Sequence, residues 1–158
     1  MILYVAIGGL FAFMGAIVYY STLDFPELEK SKLELLSVDV VEIDSIENRI
    51  FLKVIFGITN NGERTVTVPE ISYELFANGL SLGSSSYSVS DIPMTGRVLL
   101  TSGLQVTVPA EITINLTDDN KDIYEAIAAG ESLDYRVIGQ YTIETAWQLL
   151  DLQFDSSI

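Results

Sequence analysis

From Leu104 to Leu116 the chain reads LQVTVPAEITINL, in which Leu104, Val106, Val108, Ala110, Ile112, Ile114 and Leu116 alternate with Gln105, Thr107, Pro109, Glu111, Thr113 and Asn115. A period of two held this long wets one face of a strand and buries the other, and no helix reproduces it. The chain is committed to sheets with one covered face.

Leu133, Tyr135, Val137, Gly139, Tyr141 and Ile143 repeat the pattern against Ser132, Asp134, Arg136, Gln140, Thr142 and Glu144, and Gln148 to Phe154 offers a last short strand. Arg49 to Thr59 (RIFLKVIFGIT) is apolar on both faces and reads as a central strand. Leu33 to Ile43 interleaves its charges imperfectly, the mark of an edge strand with one or two bulges.

Two local devices sharpen this reading. Val66 and Val68 occupy even positions whereas Ile71, Tyr73 and Leu75 occupy odd ones, so a bulge or kink at Pro69-Glu70 is needed to keep both groups inward. Asn78-Gly79 then separates Ile71, Tyr73 and Leu75 from Leu80 and Leu82, a hairpin signal. Residues 119–130 begin with capping residues Asp119 and Asn120, place Ile123 and Ile127 four apart and end on Gly130, which predicts one short helix. The expected fold is all-β: an antiparallel sandwich of immunoglobulin or fibronectin III style, with about seven strands and one short helix.

Met1 to Tyr20 contains no charged side chain. As a helix these residues extend roughly 30 Å, the thickness of a bilayer's hydrocarbon, with Tyr19 and Tyr20 where an interfacial aromatic belt belongs. A cleaved signal peptide and a very hydrophobic buried helix are the competing readings; against the first, no Lys or Arg precedes the apolar run and no small-residue cleavage site follows it. The expected organisation is a transmembrane anchor over 1–20, a stalk over 21–32 and the sandwich over 33–158. Gly8, Ala12 and Ala16 recur at four-residue spacing, the pattern that lets two membrane helices approach closely, and are the candidates for self-association.

All charges follow the anchor: 22 Asp and Glu against 8 Lys and Arg, a net −14. Such a surface repels phosphate backbones and argues against a nucleic-acid partner. Without cysteine or histidine there is no disulfide, no thiol chemistry and no Ser-His-Asp or Cys-His set, and the commonest metal ligand is missing. No catalytic residue, cofactor or metal is assigned, and the expected class is non-enzymatic.

Three short stretches invite sharper readings. Asp118, Asn120 and Asp122 sit at alternate positions like the start of a calcium loop, yet the sixth place is Ile123 and the twelfth Ala129, so an acidic helix start explains them better. Asn115-Leu116-Thr117 is a glycosylation sequon whose Asn115 and Thr117 fall on the polar face of their strand. Ser84 to Ser90 reads as a polar edge strand, with a contact surface as the sharper alternative.

Val54-Ile-Phe-Gly-Ile-Thr-Asn60-Asn-Gly, followed by Val66 to Gly83 with its Tyr73 and Asn78-Gly79, resembles the group 2 late embryogenesis abundant family, also called the water stress and hypersensitive response domain. Val108-Pro109 is similar to that family's later Val-Pro, and the resemblance covers about residues 33–156. Asn61 stands where the family usually has proline. The resemblance implies a compact sandwich with one helix, no enzymatic activity and a role in water stress or desiccation; membrane-anchored archaeal and bacterial members share the layout.

The expected location is therefore the cell membrane, single-pass, with unidentified protein or envelope partners. Lys30 and Lys32 after the span favour a cytoplasmic domain, while the sequon and the anchored family members favour the extracytoplasmic side. A subunit of a surface filament, pilin-like and packed through its N-terminal helix, is the alternative function.

Overall fold

The computed structural model describes residues 2–22, 25–88, 98–146 and 148–158. Met1 of the expected anchor, Asp24 of the expected stalk, and Val89 and Ser90 of the serine-rich stretch lie outside them. The chain order is α1 (Ile2–Thr22), α2 (Phe25–Leu28), β1 (Ser31–Asp44), β2 (Arg49–Asn60), β3 (Val66–Ala77), β4 (Leu80–Ser88), β5 (Val98–Leu100), β6 (Gln105–Asn115), α3 (Lys121–Ala129), β7 (Tyr135–Glu144) and β8 (Leu149–Ser157). One sheet runs β1-β2-β6; the other runs β4-β3-β7-β8, with β5 beside the first part of β3. All pairings are antiparallel.

This is the expected two-layer sandwich, with the three-residue β5 as an extra strand too short to show a period. The alternation in β2 and β6 buries Ile50, Leu52, Val54, Phe56 and Ile58 against Val108, Ala110, Ile112 and Ile114. Phe56 reaches across the layers to Tyr73 on β3 and Phe154 on β8, with ring centroids 5.0 and 5.9 Å away and edge-on geometry that suits their quadrupoles. The ends of the longest pattern are a correction: Leu104 and Leu116, expected inward, are 57% and 37% exposed. Both lie outside β6, where Leu104 N–H bonds the Thr101 carbonyl and Leu116 N–H bonds the Asn48 carbonyl, so turns have replaced the pleat that would aim them inward.

The edge strand β1 carries two register shifts, between Leu35 and Ser37 and between Val40 and Glu42. In β3 the register against β7 shifts between Thr67 and Glu70, and Val66, Val68, Ile71, Tyr73 and Leu75 are all buried, as the face switch at Pro69 requires. Asn78 and Gly79 have φ of 48° and 84°, the paired left-handed conformation of a two-residue hairpin turn.

Sandwich edges expose unpaired backbone, and here a serine closes each side. Ser85 Oγ on β4 donates to the Glu111 carbonyl of β6 at 2.8 Å, and Ser156 Oγ on β8 accepts from Leu35 N–H of β1 at 3.0 Å. Each bond joins the edge of one sheet to the edge of the other.

Helix α3 ends as expected on Gly130 in the left-handed region, φ 72°, but its start is built differently. Asn120 makes no side-chain cap; its Oδ1 accepts from Thr117 N–H and its Nδ2 donates to the Asn115 carbonyl, so it closes the preceding turn. Tyr124 and Ile127 are the buried contacts of the helix, with Ile123 half-buried.

Part of the segment expected as a stalk is packed on the domain. Leu28 is fully buried, Glu27 Oε2 accepts from Glu63 N–H at 2.7 Å, and Asn61 Nδ2 donates to the Lys30 carbonyl at 3.1 Å. Lys30 is paired with Glu27, which lowers the carboxyl pKa and raises that of the amine. Ahead of this, Leu3–Tyr20 of α1 has mean hydropathy 1.8 and no buried residue, and is long and apolar enough to cross a membrane.

Candidate functional site

The outward face of the β4-β3-β7-β8 sheet is organised in cross-strand rows. Ser86, Ser72, Gln140 and Gln153 are register partners, one from each strand, and form a neutral row of hydroxyl and amide groups. The next row is Ser84, Glu74, Ile138 and Asp155. Residues of these rows line a shallow trough of about 650 Å³, together with Tyr73, Ser85 and Gly139. A side chain at Gly139 is excluded by the β3 backbone, since a Cβ there would lie 2.1 Å from the Ser72 carbonyl oxygen.

Chemically the trough offers hydroxyl, amide and carboxylate donors and acceptors. Glu74 accepts from Ser81 Oγ, and Asp155 forms a two-point pair with Arg136 that holds its carboxyl below the usual range. These are solvated pairs. Of the serine-rich stretch, Ser84 and Ser86 face outward in the trough while Ser85 is spent on the edge closure to β6.

Two tyrosine hydroxyls are buried in the core, and burial pushes both up to about 12. Tyr141 Oη donates to the Ser31 carbonyl at 2.9 Å. Tyr73 Oη lies beside Ser85 yet has no hydrogen bond of normal geometry, while the Ser85 hydroxyl donates to the Glu111 carbonyl.

Asn115 is exposed at the end of β6, and Thr117 Oγ1 accepts from Asn120 N–H, which places the sequon in the turn before α3. The calcium-like stretch does not converge: the Asn120 oxygen is occupied by Thr117 N–H, and among the described residues no three carboxylates come together to hold a metal ion. Asp44 has a structural task, accepting from the N–H groups of Glu47 and Ile46 to close the β1–β2 turn, and the former bond chiefly lowers its pKa. Gly8, Ala12 and Ala16 lie along the exposed helix α1, and nothing stands within 4 Å of where a Gly8 Cβ would be.

Asn60 is a fully buried polar residue at the end of β2. Its Nδ2 donates to the carbonyls of Arg64 at 2.6 Å and Leu100 at 3.0 Å, and its Oδ1 accepts from Gly62 N–H at 3.0 Å. Its role is to join the β2–β3 turn to β5, so the motif that carries the family resemblance is a structural one.

Solved structures share this fold. The domain is similar to an X-ray structure of a structural genomics target (TM-score 0.54, 9% identity, 83% of this chain and 87% of that one) and to a solution structure of a protein from Arabidopsis thaliana (TM-score 0.52, 14% identity, 80% and 79%). A protein provisionally described as late embryogenesis abundant matches at TM-score 0.42 and 13% identity over 97% of this chain and 87% of its own, too loosely for argument. No protein-family model and no curated protein matches the chain.

Proposed function

We propose that the chain is a non-enzymatic β-sandwich of the water-stress, late embryogenesis abundant type, tethered to a membrane by α1 with its domain on the extracytoplasmic side. The observation that carries the reading is a division of labour: Leu3–Tyr20 of α1 is unburied and apolar, whereas the interior of the sandwich is space-filling and the two central outer rows of its larger sheet consist of Ser, Gln, Glu and Asp around a single Ile138. Weak, broad contact with proteins or envelope components during drying or osmotic stress is what such faces suit. The sequence motif around Asn60 supports the family, and the exposed sequon at Asn115 supports the outside location.

Residues 25–158, which retain Leu28, are expected to keep a desiccation-sensitive enzyme active through drying better than an equal mass of albumin. Equal recovery would remove the protective role and leave the tethered sandwich without it.

A second reading has its own observation. The small-residue stripe Gly8, Ala12, Ala16 is uncovered on α1, as a filament subunit packed through its helix requires. Electron microscopy of purified full chain separates the two: filaments support assembly, and single particles in detergent support the tether.

A further inference from the structure

We infer that one end of the sandwich, the end bearing the turn at 61–65, the turn at 101–104 and the start of β8, lies against the headgroups of the bilayer that α1 occupies. The domain then stands end-on, with Leu99, Leu104 and Leu149 in the interface. The inference rests on the tether reading above.

Chain geometry is the first ground. Leu28 is buried in the domain, and Glu27 and Lys30 are bonded to Glu63 and Asn61, so the chain enters the sandwich at this end and at no other. The few residues between Thr22 and Glu27 span at most about 18 Å even when extended. A domain held so near the end of the apolar helix has little room to turn another face toward lipid.

The second ground is the surface itself. Leu99, Thr67, Glu144 and Leu149 are register partners in one outward row at this end, and the two leucines are 64% and 58% exposed. Leu104, 57% exposed, joins them through the turn whose carbonyl bonds Asn60 N–H. Leucines beside a bilayer are stabilised by the headgroup and acyl boundary, where water would leave them exposed.

Charge is the third. In a chain with 22 acidic residues, the turn 101–104 (TSGL) has no charge, nor does the 145–148 sequence that leads into β8. The opposite end carries Asp44, Glu47, Asp118, Asp119, Glu131 and Asp134. Near the chain entry Glu27 and Glu34 are each paired with a lysine, Lys30 and Lys32, and Arg64 also lies near Glu27. Carboxylates are costly against anionic headgroups, and among the described residues the near end carries fewer of them than the far end, Glu144 in the leucine row included and Asp44 and Glu47 at the far end sharing Arg49.

The absence of cysteine makes the test direct. Single-cysteine full chains, Leu104→Cys, Ser102→Cys, Ile46→Cys and Ala12→Cys, are labelled with an environment-sensitive fluorophore in nanodiscs of phosphatidylcholine and phosphatidylglycerol. Headgroup-nitroxide lipid should quench the labels at 102 and 104 at least twofold more than the label at 46, which sits at the far end on a residue 93% exposed. Acyl-chain nitroxide should quench the label at 12. Quenching at 12 with equal signals at 46, 102 and 104 overturns the end-on surface and keeps the tether; no quenching at 12 overturns both.

Discussion

Asn60 donates its side-chain amide to the Leu100 carbonyl at 3.0 Å in a fully buried site, and the same group holds Arg64 and Gly62. Such a group stabilises only because its partners are all present, and removing it strands buried donors and acceptors. Asn60→Leu, which keeps the branched skeleton but none of the polar atoms, is therefore expected to lower stability by at least about 2 kcal/mol in denaturant unfolding of residues 25–158. A loss below about 0.5 kcal/mol would mean that the turn is held by other bonds.

The two buried tyrosines differ in a way that unfolding can read. Tyr141→Phe removes the bond to the Ser31 carbonyl and is expected to cost about 1–2 kcal/mol. Tyr73→Phe removes a buried hydroxyl with no good partner and is expected to be neutral or stabilising. Equal losses for the two variants would contradict the bonding described.

How much of this was legible in the sequence depends on what each feature needs. The strands, the kink at Pro69 and the Asn78-Gly79 turn follow from period and local backbone chemistry, which a single chain displays in its own order. Leu28 did not, because a residue beside Pro26 and among charges is buried only when a distant turn, 60–63, packs over it. The edge closures by Ser85 and Ser156 depend on how two sheets are offset, and neither sheet's pattern contains that offset. The row Ser86, Ser72, Gln140, Gln153 likewise appears only once three registers are known, and Asn120 turns backward because the Thr117 N–H and the Asn115 carbonyl together take up its side-chain amide.

Alkaline pH should unfold the domain through those same tyrosines. Their folded pKa, about 12, lies above the ordinary 10, so the neutral form is favoured by folding; that contribution is complete below pH 10 and disappears as pH rises toward 12. Absorbance at the phenolate band should show tyrosines that resist titration until circular dichroism reports unfolding. Smooth titration of all eight tyrosines near pH 10 with the fold intact would contradict their burial.

Gly139→Ala is expected to be among the most damaging single-methyl changes, since the added carbon meets the Ser72 carbonyl and Tyr73 Cα, which are backbone and cannot swing away. A loss of about 3 kcal/mol or failure to fold is the expected outcome. Gly83→Ala is a contrasting case: nothing stands within 4 Å, and only its φ of 126° opposes the substitution. Thermal melts of the two variants should rank Gly139→Ala as the worse.

Leu28→Ala tests whether the chain entry is part of the domain. Losing a fully buried leucine should lower stability by about 2–5 kcal/mol, whereas a residue of a free stalk would change nothing. Comparing residues 25–158 with residues 31–158 by the same melt gives the same answer for the whole segment.

Flotation with vesicles tests the tether most directly. Full chain reconstituted in bilayers and washed in high salt should rise with the lipid while residues 25–158 stay in the dense fraction. Full chain left behind with the soluble protein, or both species floating alike, would contradict a sandwich held to its membrane by α1.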